Sequence, residues 1–379
     1  MPTVIGTNGN DSWSVGEGGT YVVDGLGGID TLNFGTSLRN EYTFKQLADG
    51  AIQVDSVSGA SSPFHATLYN MEKLVFNNNR DTFDLTLAFP GGINGTSGND
   101  TLNGTANNDK INGLAGNDTI TGGAGNDTID GGTGTDIAAY ASKLSNYTIT
   151  KSGATYTIKA KTGTDGTDTT TNVESLKFSD MTVNLDVHTV VASAPSANVQ
   201  SIIELYVAFF RRVPDADGLV YWIEQMKAGQ TINQIADNFY NAGLLFPTLT
   251  GFDAKMSNAD FVNLIYKNVL GRTDGADAGG LAYWTDQLAT GKATKGKLVT
   301  DILFAAHSFK GDATFGWVAD LLDNRIAVAK TFSIDLGLGY VLPDDSILHG
   351  MEITAAVTPT NTSTAISLIG ISAADIILV

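Results

Sequence analysis

Residues 94–136 read "NGTSGNDTLNGTANNDKINGLAGNDTITGGAGNDTIDGGTGTD". Cut at glycine, the stretch falls into nine-residue units: "GTSGNDTLN" (95–103), "GTANNDKIN" (104–112), "GLAGNDTIT" (113–121), "GGAGNDTID" (122–130) and "GGTGTDIAA" (131–139). The sixth position is always acidic: Asp100, Asp109, Asp118, Asp127 and Asp136. The eighth is Leu or Ile until the last unit, where Ala138 stands in. A Gly/Asn-rich linker has the composition but does not hold a nine-residue phase.

The unit dictates its own structure. Its Gly- and Asn-rich part suits a tight turn with positive φ. Its last three residues can form a short strand with one inward apolar side chain. A single unit buries too little to fold alone, whereas stacked units bury a continuous ladder of Leu and Ile. Stacking also brings the Asp carboxylates into columns, where they repel unless a cation separates them. Carboxylates beside the exposed carbonyls of Gly95, Gly98, Gly113, Gly116, Gly122, Gly125, Gly131 and Gly134 are hard oxygen donors, the ligand set of Ca2+.

The units resemble the RTX nonapeptide repeat, G-G-x-G-x-D-x-U-x, which forms a parallel β-roll. The resemblance implies two units per turn of roll, with turns 18 residues apart sharing an ion. Asp100, Asp118 and Asp136 would line one side, and Asp109 and Asp127 the other. That pairing gives about three shared sites. Asn107 replaces the fourth-position glycine of its unit and is expected to distort that site.

A degraded copy opens the chain. "GTNGNDSWS" (6–14) and "GLGGIDTLN" (25–33) supply Asp11 and Asp30 with Gly6, Gly9, Gly25 and Gly28. Between them, "GEGGTYVVD" (16–24) has Tyr21 in the acidic position. One ion between the flanking turns is expected, and none in the middle one. The segments after the two blocks are also duplicated: "MEKLVF" (71–76) matches "VESLKF" (173–178), and "YTITKSGATYTIKA" alternates as a β-hairpin does. Residues 1–90 and 91–190 are therefore expected to be two versions of one module, a roll closed by antiparallel strands acting as a cap.

After an expected linker at 191–200 the apolar period becomes helical. "LYVAFFRRVPDADGLVYWIEQMKAGQ" (205–230) matches "IYKNVLGRTDGADAGGLAYWTDQLATGK" (265–292), pairing Tyr206 with Tyr266, Arg212 with Arg272 and Trp222 with Trp284. The tryptophans read as core aromatics. "PDADG" and "DGADAGG" resemble pieces of a calcium loop but read as caps of the next helices. The region resembles a helical repeat domain of uncharacterised role found beside RTX repeats in secreted bacterial proteins. The expected fold is thus multidomain β plus α: two β-roll modules with β caps, an all-α domain over 201–340 and a segment over 341–379. The ending "STAISLIGISAADIILV" resembles an uncleaved type I secretion signal.

The remaining composition narrows the function. A net charge of −18 disfavours nucleic acid and anionic membrane as partners. There is no cysteine, so disulfides and thiol chemistry are excluded. No apolar run reaches membrane-span length, and no amino-terminal signal peptide is visible in "MPTVIGTNGND". None of His65, His188, His307 and His349 lies in an H-E-x-x-H motif, and no G-x-S-x-G elbow or phosphate loop is present. The sequence reads as a non-enzymatic, calcium-binding protein exported to the cell surface or matrix by type I machinery, where it self-assembles as S-layer subunits do. The alternative is a calcium-dependent adhesin or a module binding a cell-surface polysaccharide.

Overall fold

A computed structural model describes residues 3–7, 9–16, 18–26, 28–47, 51–57, 63–85, 92–106 and 108–379. Contacts divide the chain into Met1–Ser179 and Asp180–Val379. Asn107 and the expected module boundary at 90/91 lie outside the described residues.

The first unit contains two rolls. In the earlier one, β1 (Thr3–Ile5), β3 (Gly19–Asp24) and β7 (Phe64–Tyr69) run parallel in one sheet. β2 (Ser12–Ser14), β4 (Thr31–Asn33) and β8 (Lys73–Phe76) run parallel in the other. Between β4 and β7 the chain makes a detour through β5 (Tyr42–Gln46) and β6 (Ile52–Ser56), which pair antiparallel. β9 (Asp81–Asp84) then folds back on β8.

The second roll repeats this plan with more turns. One sheet holds β10 (Ile93–Asn94), β12 (Lys110–Asn112), β14 (Thr128–Asp130) and β18 (Thr167–Thr171). The other holds β11 (Thr101–Asn103), β13 (Thr119–Thr121), β15 (Ile137–Ala139) and β19 (Ser175–Lys177). Leu102 faces Ile120, Ile120 faces Ala138 and Ile111 faces Ile129, a register of two nine-residue units. These side chains are buried, one file on each sheet. The expected hairpin is β16 (Tyr147–Ser152) with β17 (Thr155–Ala160), turned at Gly153 where φ is 62°.

The hairpins are spliced into one sheet of each roll, because β7 and β18 bring the chain back into parallel register. Each return is closed by a cluster of aromatic rings. Phe34, Tyr42 and Phe76 close the first roll, with Phe34 stacked on Phe76 at 4.7 Å. Tyr140, Tyr147 and Phe178 close the second, with Tyr140 stacked on Phe178 at 5.2 Å. Rings replace the single Leu or Ile at the point where the repeats end.

The second unit begins earlier than the sequence indicated. β20 (Met181–Asn184) pairs antiparallel with β21 (Leu338–Tyr340), so residues 181–184 belong with the helices. The expected linker 191–200 is largely helical: α1 (Val187–Ala192) ends in it and α2 (Ser196–Leu205) starts in it, broken only around Pro195. The first copy of the duplicated segment begins at the end of α2 and supplies α3 (Ala216–Lys227), after which come α4 (Ile232–Gly243) and the short α5 (Pro247–Thr250). The second copy begins in α6 (Asn258–Leu270), the counterpart of α2, and supplies α7 (Ala278–Ala289), after which comes α8 (Lys295–His307), the counterpart of α4. Then come α9 (Gly316–Lys330), α10 (Pro343–Ala355), α11 (Ser363–Ile369) and β22 (Ile376–Ile377).

The two copies share side-chain detail. Arg212 lies over the Tyr206 ring and Arg272 over Tyr266, at 5.1 and 5.5 Å. Each guanidinium reaches the Asp at the next helix N-cap, Asp215 at 2.8 Å and Asp277 at 3.3 Å. Asp277 caps α7 by accepting from the Gly280 amide at 2.9 Å, whereas the Asp215 carboxylate accepts instead from the Ser346 hydroxyl. Trp284 donates to the Tyr266 hydroxyl at 3.0 Å, and Trp222 packs 5.0 Å from Phe239. In the tail, Ile376 and Leu378 are buried while Ile377 and Val379 are exposed. The apolar ending is thus core packing in the folded chain. A tail recognised before folding would still present these side chains.

Phe239 packs at 4.9 Å from Tyr206 and 5.0 Å from Trp222, all within the helical unit. Phe239→Ala is expected to cost about 3–5 kcal/mol and lower the thermal transition of the helices. The calcium-dependent β signal should be unchanged, as followed by circular dichroism with and without calcium.

Candidate metal centre

The turns between strands stack as tightly as the strands do. Three ladders of backbone amide to carboxylate run through them. In the first, Asp100 donates its amide to Asp118 Oδ1 at 2.8 Å, Asp118 to Asp136 Oδ1 at 2.8 Å, and Asp136 to Glu174 Oε2 at 2.7 Å. In the second, Asp109 donates to Asp127 Oδ1 and Asp127 to Asp168 Oδ1, both at 2.9 Å. In the earlier roll Asp11 donates to Asp30 Oδ1 at 2.7 Å and Asp30 to Glu72 Oε2 at 2.6 Å. The structure therefore brings the sequence-derived aspartates together in the expected order, and adds Glu72, Asp168 and Glu174 as the last member of each column.

A parallel ladder of asparagines lies beside them, beyond what the repeat pattern led us to expect. The side-chain oxygens of Asn99, Asn108, Asn117 and Asn126 each accept an amide from the next turn of the roll. Its signal in the sequence is the Asn before Asp in "GND" and "NND". Two of the added carboxylates also have a signal, since "ESL" at 174–176 and "EKL" at 72–74 echo the "DTL" of the repeats.

The second residue of each unit divides the turns into two kinds. Where it is Thr, the turn starts a column and its carboxylate is closed. Thr7, Thr96 and Thr105 each donate an amide at 2.6 Å to Oδ2 of Asp11, Asp100 and Asp109, and their hydroxyls add a second bond. Where it is Leu or Gly, that residue is left-handed: φ is 65° at Leu26, 75° at Leu114, 97° at Gly123 and 98° at Gly132. In these turns Oδ2 of Asp30, Asp118, Asp127 and Asp136 is buried without any hydrogen-bond partner.

Each orphaned oxygen faces a backbone carbonyl or its own turn's first glycine. A Cβ at Gly113 would lie 2.3 Å from the Gly131 carbonyl oxygen and 2.4 Å from Asp118 Oδ2. At Gly131 the corresponding oxygens are those of Asn172 and Asp136, at 2.0 and 2.7 Å; at Gly25 they are those of Asn70 and Asp30, at 2.1 and 2.3 Å. At Gly122, Asp127 Oδ2 would be 2.3 Å away. Gly116 and Gly134 have φ of 116° and 142° and press on the turn before them, while Gly9 and Gly98, in Thr turns, have room for a methyl group. In the turn over 16–24 the first glycine, Gly16, meets nothing, and the Tyr21 hydroxyl donates to Gly18. Among the described residues no three His, Asp or Glu side chains converge as a metal cluster. The donors on offer are a carboxylate oxygen and backbone carbonyls, which suit a hard cation such as Ca2+.

Electrostatics give the same answer. Burial, reinforced by neighbouring carboxylates and opposed by the amide bonds, pushes Asp30 up to about 6, Asp127 to about 7 and Glu72 to about 8. Burial also pushes Asp168 up to about 6 and raises Asp109 and Asp118. Groups raised above their unfolded values of about 4 bind more protons when folded. In the metal-free roll their stabilisation is present below about pH 4 and is lost as pH rises through 6 to 8.

A scan against family models matches the RTX calcium-binding nonapeptide repeat (4 copies) at residues 93–118 and 103–138. A domain of unknown function, DUF4214, matches residues 249–307, within the helical unit. No curated protein matches the sequence. Among solved structures, the extracellular lipase LipA from Serratia marcescens is similar at 15% identity and a TM-score of 0.18, over 46% of this chain and 38% of the lipase. This chain thus spans well under half of the lipase's length. The repeats at 93–138 are calcium-binding, and among the described residues no helix is long and apolar enough to cross a membrane.

The turn geometry sets two expected outcomes. Gly113→Ala should weaken calcium-induced folding by roughly tenfold or more in midpoint, about 1.4 kcal/mol, while Gly98→Ala should leave it nearly unchanged; calcium titration by circular dichroism checks both. Without calcium, acidification from pH 8 to about 5 should increase β ellipticity, because protons then neutralise the raised carboxyls. A loss of β signal over that range would contradict the assignment.

Proposed function

We propose that this RTX-repeat protein is exported in an unfolded, calcium-free form and acts outside the cell as a non-enzymatic structural subunit that self-assembles once calcium is bound. The ligands are Asp30, Asp118, Asp127 and Asp136, with carbonyls of the glycine turns; Asp11, Asp100 and Asp109 start the columns. The observation that supports this most directly is the set of four buried carboxylate oxygens without a partner. At neutral pH they make the metal-free roll unfavourable, so folding waits for a cation. Binding to the folded state alone then adds stability in proportion to the calcium supplied. A chain that stays open inside the cell and folds at extracellular calcium suits export through a narrow channel.

Charge links folding to assembly. At −18, copies of the chain repel one another. About four divalent ions would remove roughly eight charges. The outer strands β1 and β2 have no partner on their far edges among the described residues, and unpaired parallel edges favour association. Calcium orders these edges by ordering the turns behind them. Monovalent salt screens charge without ordering the roll and should not substitute.

The test is light scattering and electron microscopy of the purified chain across millimolar calcium. Calcium should produce regular arrays that a chelator returns to monomers, and sodium chloride should not produce them. Monomers throughout, at high protein concentration, would remove the structural reading.

A further inference from the structure

The two copies of the helical repeat act as controls for each other. Tyr206 corresponds to Tyr266, and the capping threonines Thr231 and Thr294, each accepting an amide three residues on, set the register of α4 against α8. Where one copy departs from the other without need, the fold alone does not account for the residue.

One such departure makes a cavity. Between α2, the start of α4 and α8 lies a space of about 310 Å³ lined by Gln200, Ser201, Glu204, Ile232, Phe304 and His307 among others. The corresponding place in the sister arrangement is filled. Ser201 corresponds to Phe261, which is fully buried. Leu303 corresponds to Tyr240 and Ile232 to Lys295, whose ammonium donates to the Tyr240 hydroxyl at 2.6 Å and lies 5.1 Å from the centre of the Phe261 ring. Smaller side chains at three positions open the cavity.

Its floor is charged where the sister copy is apolar. Glu204 corresponds to Leu264, and His307 to Leu244. Glu204 is only 6% exposed. Its Oε1 accepts from the Gln200 amide at 2.8 Å and lies 2.9 Å from His307 Nε2, and neither bond uses Oε2. His307 Nδ1 lies 3.4 Å from Asp323, which also binds Lys310 at 2.6 Å. Taking a carboxylate and an imidazole out of water is costly. Leucine does the structural task in the other copy, so packing does not explain the pair.

We propose that this cavity binds a single neutral sugar ring. The Glu204 carboxylate and the Gln200 and Ser201 side chains offer hydrogen-bonding partners to ring hydroxyls. Ile232, Leu205 and Leu303 give an apolar wall, and Phe304, 82% exposed at the rim, offers a ring face for the C–H side of a pyranose. Paired with His307, Glu204 leaves no uncompensated positive charge to hold an anionic ligand. The Glu204 hydrogen bond pushes His307 up, which favours its charged form, and so the floor has little net charge to attract a ligand cation. The volume lies near the small end of the roughly 300–1,000 Å³ usual for ligand sites, room for one ring and not a chain. A free monosaccharide and the terminal residue of a polysaccharide share this chemistry.

The test uses the calcium-loaded full chain, by ligand-observed magnetic resonance and calorimetry. Probes are glucose, galactose, mannose and N-acetylglucosamine, oligosaccharides ending in each, and choline as a cation. Saturable binding of at least one sugar is expected. Ser201→Phe, which installs the sister residue, and Phe304→Ala, at an exposed position, should each lose roughly tenfold or more in affinity, about 1.4 kcal/mol. If Ser201→Phe does not fold, Phe304→Ala carries the test. Equal affinity for monosaccharide and oligosaccharide supports a free sugar, and tighter oligosaccharide binding supports a polysaccharide end. No sugar bound at about 10 mM, a concentration that detects even millimolar affinity, overturns the proposal, as does binding unaffected by the variants or binding of choline alone.

Discussion

Buried carboxylates stacked one above another are the constraint on which the roll depends. After the first in each column, each Asp receives one amide bond from the turn before it, and this sets the register of the turns. That bond satisfies one oxygen. In the interior turns the other oxygen, on Asp30, Asp118, Asp127 and Asp136, has no donor at all. Leaving a charged group so placed costs more than a single missing neutral bond. The core behind the turns is one Leu or Ile per nine residues, too thin to absorb that cost. A proton or a cation must complete each column, and at neutral pH the partner that suits these oxygens is calcium.

The same constraint explains the ends. Columns start at Thr7, Thr96 and Thr105, whose amide and hydroxyl close the first carboxylate without a cation. They finish at Glu72, Asp168 and Glu174, delivered by strands that return after the hairpin detour. The aromatic clusters around Phe34, Tyr42 and Phe76, and around Tyr140, Tyr147 and Phe178, then close the apolar files. Ladder, file and cap end together because one returning segment supplies all three.

Much of this was legible in the sequence. The nine-residue phase showed stacked turns with columns of carboxylates, and the resemblance to the RTX repeat supplied the parallel roll, its 18-residue register and the grouping of Asp100, Asp118 and Asp136 apart from Asp109 and Asp127. The column ends were overlooked, because Glu72 and Glu174 stand outside the nine-residue phase with only the echo of "DTL" to mark them, and Asp168 reaches its place through long-range pairing that no local period reports. The two kinds of turn were missed for another reason. Thr against Leu or Gly at the second position looks like neutral variation until φ is known. In the helical half, the duplication was visible, but β20 was assigned to the preceding β module, since its partner β21 lies far along the chain. The tail showed its apolar character but not its alternation of buried and exposed residues.

The central claim is that ordering of the turns and occupation of the carboxylate columns are one event. Hydrogen exchange at residues 95–139, followed at neutral pH with calcium and with chelator, tests it most directly. The account predicts slow exchange for the amides of Asp118, Asp127 and Asp136 in calcium and near-unprotected exchange in chelator, with the helices of the second unit protected in both. Equal protection of those three amides in the two conditions would contradict it.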